Sequence, residues 1–257
     1  MPAAILRSQI RRINACGERY GFRVTSTFTG AFTRVNHLAH PDPDVRAYWI
    51  DWFKRFVDIS VDLGARSMGS HFGIFTHKDN REPSARESRR AQNIAAWHEV
   101  ARYAKKRGLE FLSWEPMSIS REQGETIAET RRLQTDLNRE APLPFKICLD
   151  VDHGDVMSVN PDDTDPYAWL RTFAKEAPII HLKQSSKNKG GHWPFTAEHN
   201  AHGRIDPARV ISTLAEHGGE GAELLLELSF REREPVDSTV VEALRESVAY
   251  WRGAVPD

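Results

Sequence analysis

Cysteine is nearly absent from this chain. Cys16 and Cys148 are the only two in 257 residues. They lie far apart, with Cys148 inside an apolar run, so neither a disulfide framework nor a thiolate zinc site is indicated, and a reducing compartment is expected. Long hydrophobic runs are missing too. No apolar stretch approaches 18 residues and no signal peptide is recognisable, so a soluble, cytoplasmic protein is expected. Nor is there a surplus of one charge: 35 Lys and Arg stand against 36 Asp and Glu, a formal net charge of -1. That leaves no field to draw an anionic membrane, and it disfavours nucleic acid as a partner. No linker or low-complexity segment interrupts the sequence, so residues 1–257 read as one domain.

What is present is alternation. Leu6, Ile10 and Ile13 share one face of a helix predicted over Ala3 to Tyr20. Gly21 ends it, and a strand follows over Phe22 to Phe28. The unit then repeats as helix Pro43–Leu63 with strand Ala65–His71, and helix Ser84–Arg107 with strand Leu109–Glu115. Helix Arg121–Arg139 leads to strand Lys146–Asp150, Pro166–Lys175 to Ile179–Lys183, and Pro207–His217 to Glu223–Glu227, before a last helix that carries Val241, Leu244, Val248 and Trp251 on one face. Strict alternation of this kind argues for parallel strands with helical crossovers. Six strands are counted. An eight-stranded (β/α)8 barrel needs two more, and the chain starts in a helix, so it reads as a barrel without its first two strands or as an open six-stranded sheet.

The strand ends favour the barrel. Phe111-Leu-Ser-Trp-Glu115, Lys146-Ile-Cys-Leu-Asp150, Ile179-Ile-His-Leu-Lys183 and Glu223-Leu-Leu-Leu-Glu227 each carry a metal-ligand type of residue. A closed barrel gathers consecutive strand ends round one point, whereas a flat sheet spreads them out. Acids are otherwise depleted in apolar strands, so Glu115, Asp150, His181 and Glu227 are the candidate ligands. Three carboxylates and one imidazole form a hard, oxygen-rich set suited to Mn²⁺, Mg²⁺ or Co²⁺ and tolerable for Zn²⁺.

These strand ends, with Asp150-Val-Asp-His153 and His202-Gly-Arg-Ile-Asp206, resemble the sugar isomerase and epimerase superfamily of xylose isomerase-like TIM barrels. Within it the chain is most similar to the ketose 3-epimerases and, more narrowly, to the erythrulose phosphate epimerases. The resemblance implies a manganese-type metal centre at Glu115, Asp150, His181 and Glu227, with His153 contacting the substrate near its carbonyl and Arg204 binding it. It also puts His71 where relatives line the pocket or bind an extra metal. Trp114, Lys183, Ser185 and Ser186 are further candidates to hold the sugar or its phosphate.

The implied reaction is epimerisation or isomerisation of a small ketose or ketose phosphate. A divalent cation holding the carbonyl and the adjacent hydroxyl stabilises an enediolate, and two carboxylates on opposite faces move the proton. Glu115 and Glu227 are the expected pair. A homodimer is expected, because a barrel without two strands exposes two sheet edges. The rival readings are an apurinic endonuclease-like zinc phosphodiesterase with three metals, a keto-inositol dehydratase, and a truncated barrel without activity.

Smaller signals are read more plainly. Ser185 to Gly191 could cradle a phosphate with its hydroxyls, lysines and glycine amides. His192, His199 and His202 lie in a loop that could serve as a lid, although loop histidines seldom have a role. Asp152 and Asp155 read as exposed acids, and Arg86 to Arg90 as a solvated helix face.

Overall fold

Helix α1 (Ala3–Tyr20) stops at Gly21, whose φ of 70° lies in the left-handed region that glycine enters without steric cost. The computed structural model describes residues 2–186, 189–230 and 238–255. They fall into two compact units, Met1–Gly124 with Ala128–Lys146, and Glu125–Ile127 with Ile147–Asp257.

In the first unit β1 (Ser26–Phe28), β2 (Ser67–His71) and β3 (Phe111–Glu115) pair in parallel, with Ser26 opposite Ser67 and His71 opposite Glu115. Helices α2 (Pro43–Asp62), α3 (His77–Arg81) and α4 (Pro83–Arg107) make the crossovers, and α5 (Ile127–Asn138) follows β3. Strand β4 (Phe145–Asp150) begins beside β3, where Leu112 N donates to Pro144 O at 3.0 Å. Every residue of β2 and β3 is buried, as parallel strands covered on both faces must be. Gly69 is required by that packing, because a Cβ there would collide with Ser113 Oγ and the Phe28 ring. The core behind the sheet is aromatic. Phe53 of α2 and Trp97 of α4 lie 4.7 Å apart between ring centroids, and Trp97 Nε1 donates to Phe72 O at 2.7 Å, which satisfies the indole N–H that burial would otherwise strand.

Two expectations fail in this unit. The helix expected from Arg121 begins only at Ile127: Gln123 and Gly124 have φ of 70° and 81°, and Arg121 Nε donates to Phe75 O at 3.0 Å. Tertiary hydrogen bonds thus override helical propensity over that segment. Arg86 to Arg90 is also no solvated face. Arg90 is 3% exposed and its Nη2 lies 2.6 Å from Glu129 Oε2, Arg86 pairs with the same carboxylate, and Arg89 pairs with Asp79.

In the second unit β4 pairs in parallel with β5 (Ile179–Leu182), and β5 with β8 (Glu223–Leu226), so that Asp150 stands opposite His181 and His181 opposite Leu225. Among the described residues there are six parallel strands, the number expected. Asp165 and Asp206 cap helices α6 (Pro166–Phe173) and α8 (Pro207–Glu216), each with proline at the first helical position. Ile147, Leu149, Ile180, Leu182, Leu170, Phe173, Val210 and Leu214 are buried around these elements. Helices α7 (Ala197–Asn200) and α9 (Val240–Arg252) complete the unit. An antiparallel hairpin of β6 (Gln184–Ser186) and β7 (Lys189–Trp193) occupies what the sequence presents as loop. Among the described residues no helix is long and apolar enough to cross a membrane.

Candidate functional site

In the first unit the carboxyl ends of β2 and β3 bring His71 and Glu115 together. Both side chains are buried, with His71 Nε2 3.4 Å from Glu115 Oε2. The other ring nitrogen, Nδ1, lies 3.2 Å from Thr33 Oγ1, and the ring meets Phe28 edge-on at 5.5 Å, so three elements fix the imidazole. Trp114 is a correction. Successive strand residues face opposite ways, and the Trp114 indole turns to α5, where Nε1 donates to Gln134 Oε1 at 2.8 Å. It packs strand against helix instead of forming a sugar-facing wall beside Glu115.

The second unit gathers more. One ligand atom each of Asp150, His181 and Glu227 lies within 4.8 Å of the others. Strand register does this: Asp150 and His181 are directly paired, and Glu227 follows β8 with its N–H donated to Leu182 O at 2.9 Å. His181 has its Nδ1 3.7 Å from Glu227 Oε2 and its Nε2 3.3 Å from Cys148 Sγ. Its two nitrogens therefore have different partners, the arrangement that fixes the orientation of a ligating imidazole. His153 Nε2 lies 3.6 Å from Asp150 Oδ2, and Lys183 Nζ only 2.5 Å from the same oxygen. Burial would raise the Asp150 carboxyl, but the charges on His153 and Lys183 outweigh it and hold the group well below the ordinary carboxylate range.

Two residues gain a place that sequence reasoning denied them. His192 Nδ1 lies 3.5 Å from Glu227 Oε2, and that carboxylate raises the imidazole above its ordinary value against burial and Lys183. His199 instead stacks on Trp193, and His202 is exposed. Asp152 is no exposed acid: its side chain is 6% exposed, Oδ1 accepts from Arg204 Nη2 at 2.5 Å and from Ser185 Oγ at 2.6 Å, and Oδ2 accepts from Gly191 N at 3.3 Å. Arg204 is held further by Nε to Ser185 Oγ at 3.1 Å and Nη1 to Thr164 O at 2.9 Å.

Gln184 fixes the backbone next to Arg204. Its Oε1 accepts from Ile205 N at 3.0 Å and its Nε2 donates to Ile205 O at 3.1 Å. Gly203 permits this approach, since a Cβ there would collide with the Gln184 side chain. Arg204, Asp152, His153, Ser186 and Tyr167 line a cavity of about 690 Å³. Lys187, part of the phosphate loop anticipated from sequence, lies outside the described residues. Asp155 is half-buried and accepts from Met157 N at 2.9 Å within its own turn.

The donor set suits a divalent cation. Asp150 Oδ2 and Glu227 Oε2 are among the buried oxygens of the described residues that accept no hydrogen bond, and the Lys183 ammonium meets the first of them as an ion pair. Buried carboxylate oxygens left this way need a positive partner, and with one imidazole beside them they match Mn²⁺, Mg²⁺ or Co²⁺ better than a thiolate-seeking metal.

Comparison with known proteins agrees with the fold. Residues 2–253 match the family described as Xylose isomerase-like TIM barrel. The chain is 51% identical over 250 residues, covering 97% of it and 81% of the relative, to D-erythrulose 1-phosphate 3-epimerase of Brucella abortus. Among solved structures it is similar to a candidate xylose isomerase of Rhodospirillum rubrum, with TM-score 0.85 and 24% identity over 97% of this chain and 84% of the other. It is also similar to D-psicose 3-epimerase of Clostridium cellulolyticum, with TM-score 0.70 and 15% identity over 97% and 84%. With its alternating helices and six parallel strands, and with a match over nearly its whole length, the chain belongs to the xylose isomerase-like TIM barrel family.

Proposed function

We propose that this protein is a divalent-metal-dependent 3-epimerase of a small ketose phosphate, with erythrulose 1-phosphate as the leading substrate. The observation that carries the reading is the 51% identity, over 97% of the chain, to an enzyme named for that reaction. The clustering of Asp150, His181 and Glu227 supports it. Glu115 is proposed as the fourth ligand, and residues 1–257 as a single functional domain. When bound, the cation supplies Lewis-acid polarisation of the ketone and its neighbouring hydroxyl.

The remaining chemistry belongs to the side chains. A proton on a carbon next to a ketone is weakly acidic, and inversion needs one base on each face of the planar enediolate. Glu115 and Glu227 are the proposed pair. His153, at the mouth of the cavity beside Asp150, donates to the carbonyl oxygen. Arg204, Ser185, Ser186 and His71 bind the sugar and its phosphate. Arg204 is pre-organised for this, because three of its five N–H groups already bond Asp152, Ser185 and Thr164 and hold the guanidinium in one orientation. Sheet edges also make a homodimer part of the proposal, which light scattering on the purified chain checks.

The test is a panel of ketoses and ketose 1-phosphates incubated with the protein and Mn²⁺ in heavy water, followed by NMR. Deuterium is expected at the carbon next to the ketone of erythrulose 1-phosphate, together with its C3 epimer. No exchange with any member of the panel would end the reading.

A further inference from the structure

Lys183 follows β5 directly and is 2% exposed. A buried ammonium is costly unless carboxylates surround it, and the groups around this one are specific. Its Nζ lies 2.5 Å from Asp150 Oδ2 and 3.5 Å from Glu227 Oε2, with His153 Nε2 at 3.5 Å and His192 Nε2 at 3.4 Å. Asp150 Oδ2 and Glu227 Oε2 are also among the buried oxygens of the described residues that accept no hydrogen bond. The ammonium and a divalent cation therefore draw on the same two atoms.

We propose that Lys183 is a built-in counter-cation of the metal centre, sharing Asp150 Oδ2 and Glu227 Oε2 with the divalent ion and lowering the site's affinity for it. The inference rests on the metal reading given above and changes the part Lys183 plays, from sugar contact to regulator of metal binding. The charge arithmetic is simple. Asp150 and Glu227 bring two negative charges, Lys183 removes one, and the pair offers an incoming cation a net charge of -1 instead of -2. Like charges a few ångströms apart inside a protein repel strongly, so the lysine weakens cation binding while keeping both carboxylates compensated. His153 pairs with Asp150 and His192 with Glu227, whereas Lys183 reaches both carboxylates.

The experiment is a Mn²⁺ titration of the full chain near neutral pH, with free Mn²⁺ followed by electron paramagnetic resonance and the fold checked by circular dichroism. Lys183→Met keeps the length of the side chain and removes its charge. It is expected to bind Mn²⁺ about 10- to 100-fold more tightly, the range by which groups around metal ligands alter affinity. Lys183→Gln is expected to move the same way, and Lys175→Met, which removes an exposed charge, to leave affinity unchanged.

Equal or weaker binding in a folded Lys183→Met protein overturns the inference. So does failure of both Lys183 variants to fold even with saturating Mn²⁺, because the cation should then compensate the carboxylates. If neither the wild type nor the variants bind Mn²⁺, the metal reading falls, and this inference with it. Equal affinity in all of them removes the inference alone.

Discussion

Asp152 has no chemistry of its own in the proposed reaction, yet its carboxylate fixes the guanidinium proposed to meet the sugar. Replacing it by Asn removes the charge-assisted bond from Arg204, and replacing it by Ala also frees Ser185 and Gly191. Hydrogen bonds to charged groups contribute about 1.5–3 kcal/mol. Asp152→Ala should therefore raise KM about tenfold or more while kcat falls less, and steady-state kinetics on the epimerase reaction separates the two. A fall in kcat alone would place Asp152 in the chemistry. The proposed bases should behave in the opposite way. Glu115→Gln and Glu227→Gln are expected to cut kcat by about 10²- to 10⁴-fold with little loss of fold, and near-wild-type turnover in either would remove that residue from the acid–base pair. The contrast shows what the sequence makes visible. Glu115, Asp150, His181 and Glu227 stand out because each lies at or near the end of an apolar strand, where a polar residue is conspicuous. Asp152 and His192 do not, because their meaning comes from partners distant in the chain: Arg204 is 52 positions from Asp152 and Ser185 is 33. No local pattern encodes those contacts.

At the level of elements, helix and strand types were legible almost throughout, because 3.6-residue stripes alternate with short apolar runs and glycines mark the helix ends. Strand β4 was expected from Lys146 and begins at Phe145, and α1 has its expected limits. The misses have tertiary causes. The β6–β7 hairpin carries two glycines and little β-branched content, and it forms around Asp152 and Lys183 instead of around an apolar face. The loop before α5 is held by side-chain bonds to another segment. Buried charge between α4 and α5 was invisible for the same reason, and it yields a pH prediction. Burial would raise the Glu129 carboxyl, but the Arg90 hydrogen bond and charge, with Arg86 and Arg132, lower it below the ordinary value. A carboxyl lowered on folding stabilises the folded chain above its unfolded value of about 4.3, and that stability is lost as pH falls through the lower folded value. Glu129→Gln should cost about 1–2 kcal/mol near pH 7. This is less than a fully buried pair would cost, because Glu129 is 30% exposed. The gap in melting temperature from wild type should narrow as pH falls below the ordinary glutamate range. A gap that persists unchanged in acid would mean that packing, not the Arg90 ion pair, makes the difference. Gly203→Ala tests the hairpin's other anchor. Its Cβ would displace Gln184, so KM should rise in the manner of Asp152→Ala, while far-ultraviolet circular dichroism stays the same.

For the whole chain, composition is neutral with respect to chemistry: a net charge of -1 and two cysteines bar several partners without pointing to any. The cation supplies the decisive test at this scale, because a ligand that binds only the folded chain stabilises it by mass action. At about 100 times its dissociation constant the gain is about 2.7 kcal/mol, and for a chain of this size that raises the melting temperature by about 5–10 °C. Adding Mn²⁺ to EDTA-treated protein should reproduce this shift. Asp150→Asn, which removes a carboxylate charge from the cluster of Asp150, His181 and Glu227, should abolish most of it. Metal analysis of the saturated protein should find about one ion per chain. Three ions would match the phosphodiesterase rival, whose chemistry depends on a cluster. No shift with Mn²⁺, Mg²⁺, Co²⁺ or Zn²⁺ would mean that Lys183 and the two neighbouring histidines alone compensate Asp150 and Glu227, and that proton transfer between sugar carbons, if it occurs, draws its electrophile from those side chains.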